Sequence, residues 1–100
     1  MLSITEIQTA VESVVKNTAV EKMVLFGSYA KRNASTQSDI DLFMVSNGVI
    51  TGLAFYDLKS RIEGAFNVNV DLLADLDVIP NSPIEKQIND SGVIIYERQR

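Results

Sequence analysis

Apolar and polar positions alternate along this chain with two different periods, and the changes of period mark its elements. Ile4, Ile7, Val11, Val14 and Val15 recur at helical spacing behind Ser3-Ile4-Thr5-Glu6, which reads as a capping box with Leu2 placed to staple against Ile7. This predicts an amphipathic first helix ending near Asn17. Residues 21–26 then form a nearly continuous apolar run, the pattern of a strand covered on both faces. A short helix over 28–32, a polar loop over 33–38 and a second strand over 40–45 follow.

Asn47-Gly48 would suit a tight hairpin, but Leu53-Ala54-Phe55, Leu58, Ile62 and Ala65-Phe66 come after it at helical spacing. The expectation is therefore a loop and a helix over 51–66, with Leu53, Leu58 and Ile62 in the core. Val68-Asn69-Val70-Asp71-Leu72-Leu73 alternates, which predicts a third strand carrying Asn69 and Asp71 on a polar face. Ser82 as cap, Pro83 at the first helical position and Glu85 start a last helix that Gly92 ends, and residues 93–96 form a fourth strand. No internal repeat or linker interrupts the pattern. Helices alternating with short strands give an α/β (α+β) class, a small mixed sheet with helices packed on it, and 100 residues support a single domain over 1–100.

Composition narrows the chemistry by exclusion. With 46% hydrophobic and 22% charged residues the chain is an ordinary folded domain. It has no cysteine and no histidine, so disulfides, thiolate or imidazole metal sites, Cys nucleophiles and His bases are all ruled out. Carboxylates are the metal ligands that remain, and they favour Mg²⁺ or Mn²⁺. A net charge of -4 argues against an extended nucleic-acid footprint. No apolar run approaches bilayer length and no basic-then-apolar leader opens the chain, so the cytoplasm is expected.

Residues 26–45 carry the candidate chemistry. Gly27-Ser28 follows the strand-like run Met23-Val24-Leu25-Phe26 and turns into a helix, a geometry that suits phosphate because free backbone N–H groups and the helix dipole converge there. Asp39 and Asp41 head the next strand one pleat apart on the same side. Two carboxylates so placed repel, and such a pair persists most easily around a divalent cation. Asp71, on a neighbouring strand, is a candidate third carboxylate, with Asp75 two pleats along as its rival. Lys31 and Arg32 could reach phosphate, although a solvated surface charge explains them as well. Tyr56 and Tyr96 carry no functional signal.

Gly27-Ser28, the ten residues from Tyr29 to Ser38 and then Asp39-x-Asp41 resemble the signature of the nucleotidyltransferase superfamily that includes the DNA polymerase beta palm. Gly-Ser-x-Ala-(Lys/Arg) and Ser-Asp-Ile-Asp-Leu are most similar to the minimal nucleotidyltransferases, small prokaryotic proteins encoded beside a HEPN-domain protein. Asn33 stands where that group commonly has Gly, a conservative departure if the position takes a left-handed backbone.

The resemblance implies a nucleotidyltransferase fold and transfer of a nucleoside monophosphate, AMP from ATP, to an acceptor hydroxyl, a tyrosine of a cognate HEPN toxin. The chain would thus be an antitoxin working in a hetero-oligomer. Asp39, Asp41 and Asp71 would bind two Mg²⁺ and Asp71 would help take the proton from the nucleophile, while Gly27 and Ser28 would hold the triphosphate. Two other readings stay open at this level. One is an antitoxin that acts by binding alone, and the other is a transferase acting on a small molecule such as an aminoglycoside.

Overall fold

In the computed structural model, which describes residues 1–99, helix α1 (Ile4–Val15) starts at a complete capping box. The Ser3 hydroxyl accepts from the Glu6 amide at 3.1 Å, and Glu6 Oε1 accepts from the Ser3 amide at 3.0 Å. Strand β1 (Lys22–Phe26), the single-turn helix α2 (Gly27–Ala30), β2 (Ile40–Val45), α3 (Gly52–Glu63), β3 (Val70–Ala74), a 3₁₀ turn at Asp75–Asp77, α4 (Pro83–Ser91) and β4 (Val93–Glu97) follow in order. The strands form one mixed sheet ordered β3-β2-β1-β4. β1 lies antiparallel to both of its neighbours, with an irregularity between Met23 and Val24 on the β4 side, whereas β2 and β3 are parallel. A parallel pair needs a crossover, and α3 supplies it.

Alternation along the strands divides the apolar side chains between two faces. Met23 and Leu25 of β1, Ile40, Leu42 and Met44 of β2, and Val70 and Leu72 of β3 join Ile7, Val11 and Val15 of α1 and Leu58 and Ile62 of α3 in the main core. On the other face Val24, Phe26, Phe43 and Leu73 pack with Ile88 of α4 and with Val78. The continuous apolar run of β1 is thus explained, because its residues 23–26 are buried on alternating sides.

Two expectations are corrected. Leu53 is not core but 89% exposed, while Leu58 and Ile62 are buried. Leu53 precedes Ile62 by two and a half helical turns, which puts it on the opposite side of α3. The left-handed residue after α2 is Arg32 (φ 59), not Asn33. The hydrogen bonds explain why: the Arg32 amide donates to the Tyr29 carbonyl and the Asn33 amide to the Ser28 carbonyl, a Schellman ending whose left-handed position falls on Arg32.

Gly92 lets α4 turn directly into β4 against β1. A Cβ there would stand 2.3 Å from the Ile88 carbonyl oxygen and 2.7 Å from Val24 Cγ1, whereas at Gly64, after α3, the nearest atom would be 3.4 Å away. Gly92→Ala is expected to cost about 1–3 kcal/mol in urea denaturation, and Gly64→Ala to be neutral or mildly stabilising.

Candidate functional site

The site begins where β1 ends. Phe26 pairs with Asp41 in the β1–β2 ladder, and the next residue, Gly27, is buried at φ +72. A Cβ on Gly27 would lie 2.1 Å from Asp41 Oδ2 and 3.0 Å from its Cγ. The missing side chain is therefore what lets a carboxylate rest against the turn, and the positive φ independently favours glycine. Ser28 is half-buried in the first turn of α2, and the amides that open such a helix have no partner within it.

On its other side β2 runs parallel to β3, and the register sets Asp41 directly beside Asp71. Both lie on the face opposite the main core, since their neighbours Ile40, Leu42, Val70 and Leu72 all point into that core. The Asp41 carboxyl is pushed up to about 6, first by burial and then by the charge of Asp71. A hydrogen bond to Asp71, which only protonated Asp41 can donate, and the charge of Asp39 push in the same direction.

Asp41 and Asp71 line a cavity of about 380 Å³ with Phe26, Leu73, Ile84 and, from α3, Tyr56 and Lys59. Asp39 stands apart at the end of the loop before β2. It is exposed and lines a different hollow, with Ser38, Glu63 and Asn69. Among the described residues no group of three or more acidic side chains is gathered closely enough to hold a metal ion. The structure thus brings Gly27, Asp41 and Asp71 together and leaves Asp39 near enough for its charge to be felt at Asp41.

Asp75, the rival of Asp71, is occupied elsewhere. Its carboxylate accepts from the Asn47 amide at 3.2 Å and from the Ser46 amide at 3.5 Å, tying the loop after β2 to the end of β3. This role leaves no local mark in the sequence, because the partners are backbone groups 28 and 29 residues away. Lys59 was missed as well. A lysine half-buried on an amphipathic helix looks like any solvated charge until the fold shows which cavity it lines.

Residues 8–100 match the family model described as Polymerase beta, Nucleotidyltransferase. A candidate protein adenylyltransferase of Methanocaldococcus jannaschii is 33% identical over 58 residues, which cover 58% of this chain and 67% of that protein. Among solved structures, a chain of a toxin–antitoxin crystal structure with AMP-PNP superposes with a TM-score of 0.75 over 92% of this chain and 74% of that one, at 20% identity. A chain of the tri-AMPylated Shewanella oneidensis HEPN toxin in complex with MNT antitoxin superposes with a TM-score of 0.70 over 95% and 73%, at 17% identity. These superpositions are likenesses of fold.

The raised Asp41 carboxyl has a consequence for stability. Between its ordinary 3.8 and about 6 the folded chain holds a proton that the unfolded chain releases. The contribution to stability is therefore complete below the lower value and lost as pH rises through the upper one. Glu6, held below its ordinary range by the hydrogen bonds from the Ser3 backbone and then its hydroxyl, acts with the opposite sign at lower pH. In metal-free buffer the melting temperature is expected to fall between pH 4.5 and 7 in the wild-type chain. Asp41→Asn should flatten that fall and be the more stable protein at pH 7, as measured by thermal denaturation across the series.

Proposed function

The chain belongs to the polymerase beta nucleotidyltransferase family, and on that premise we propose that it transfers AMP from ATP to a tyrosine hydroxyl of a HEPN-domain toxin and so acts as the antitoxin of the pair. The observation that carries this reading is the apposition of Gly27, Asp41 and Asp71, a turn suited to phosphate with two carboxylates beside it. The name of the Methanocaldococcus jannaschii relative and the AMPylated toxin in the Shewanella oneidensis complex favour AMP as the group moved and a protein as the acceptor.

Oxygen-only donors that raise the cost of one another's charge fit a hard divalent cation, Mg²⁺ with Mn²⁺ as a substitute. Asp41 and Asp71 would hold it, with Asp39 adding its negative charge from the end of the loop. Bound there, Mg²⁺ would neutralise the carboxylates and polarise the phosphoryl group. The Gly27 and Ser28 amides would hold the triphosphate, a task for which backbone donors need no side chain. Asp71, on the strand at the sheet edge, would accept the proton of the attacking hydroxyl as the α-phosphoryl passes to it and pyrophosphate leaves.

Purified chain incubated with α-labelled ATP, Mg²⁺ and a cognate HEPN-domain protein should label that protein. Asp41→Asn and Asp71→Asn are expected to lower the rate by about a thousandfold or more, because several kcal/mol of charge stabilisation is lost. Asp39→Asn should also lose transfer, and Gly27→Ala should do so by pushing against the Asp41 carboxylate. Asp75→Asn should keep transfer at reduced stability. Toxin inhibition that survives intact in an Asp39→Asn/Asp41→Asn chain, with no label moved by the wild type, would replace catalysis with an antitoxin that only binds.

A further inference from the structure

We propose that Tyr56 is itself an acceptor, so that the chain adds one nucleotide to its own Tyr56 hydroxyl; this rests on the transferase reading of the site. Tyr56 lies on α3 and lines the same cavity of about 380 Å³ as Asp41 and Asp71. That volume lies within the range of small-ligand sites. Its phenol is the one hydroxyl side chain among the cavity's lining residues, which are otherwise apolar or aromatic apart from Lys59 and the two carboxylates.

The other tyrosines are placed out of reach. Tyr29 is 4% exposed within the main core, and Tyr96 is on β4, at the edge of the sheet farthest from β3. Tyr56 is 64% exposed. Its ring meets Phe55 edge-to-face, with centroids 5.4 Å apart and planes at 87°, a contact that limits where the hydroxyl can swing.

Lys59 follows Tyr56 by three residues on the same helix face and lines the same cavity. It makes no ion pair among the described residues. An ammonium lining that cavity offers a partner to the phosphate oxygens of a nucleotide held there.

The step balances without any further reactant. The Tyr56 oxygen bonds to the α-phosphorus of ATP, the bond from that phosphorus to the oxygen bridging to the β-phosphate breaks, and pyrophosphate leaves. The phenolic proton passes to the Asp71 carboxylate and on to water. The product is a phosphodiester that brings a negative charge and a bulky nucleoside into a cavity already holding two carboxylates. It would therefore slow transfer to any separate acceptor.

The test uses the full chain with α-labelled ATP and Mg²⁺, once alone and once with the HEPN protein, followed by peptide mapping. One AMP on the peptide containing Tyr56 is expected, lost in Tyr56→Phe and in Asp41→Asn, with Tyr56→Phe still labelling the HEPN protein. The bond should survive mild acid, as a phosphate ester does and a phosphoramidate on Lys59 would not. Label on the HEPN protein with Tyr56 unmodified would overturn self-transfer and leave the transferase reading standing. Label on Lys59 or elsewhere in the chain would overturn the assignment to Tyr56, and no label on either protein would overturn both readings.

Discussion

Two carboxylates held side by side across a parallel strand pair set the terms for the rest of this domain. Left to themselves Asp41 and Asp71 would separate, since unit charges 4 Å apart at a protein surface repel by about 4 kcal/mol. What holds them is the apolar register around them: Ile40 with Val70, and Leu42 with Leu72, all in the main core. Each such side chain contributes about 1.5–3 kcal/mol when buried, so together the four outweigh the repulsion. Slipping β3 by one residue would turn Val70 and Leu72 to the outside and Asp71 into the core, which makes the core the device that aligns the site.

The order of the strands extends this arrangement. Because β2 lies between β3 and β1, Asp41 touches Asp71 on one side and the Gly27 turn on the other. Three segments that the chain separates by a loop and a crossover helix thus become one surface. The crossover helix then closes that surface on a third side with Tyr56 and Lys59, and the start of α4 adds Ile84.

Most of this fold was legible from periodicity, since the sequence pairs its changes of period with strong local signals. Ser3 with Glu6, and Ser82 with Pro83, start helices where caps demand them, and the strand of residues 40–45 was read at its full length. Leu53 was misplaced because apolar character alone does not fix a helix face, and the left-handed position after α2 moved to Arg32 because hydrogen-bond closure decides it. Gly27, Asp41 and Asp71 were legible by residue type and pattern. The direct contact of Gly27 with Asp41, the outlying position of Asp39 and the backbone duty of Asp75 were not, because each depends on pairings between residues far apart in the chain.

The burial of Asp41 beside a like charge also bears on how this sequence can change. Folding alone gains nothing from a carboxylate at that position, and a neutral isostere would suit the folded state better. A library of variants sorted only for resistance to heat or protease would therefore drift away from Asp41. On the proposed transfer reading, robustness and competence pull on this residue in opposite directions, and the wild-type sequence sits on the side of competence.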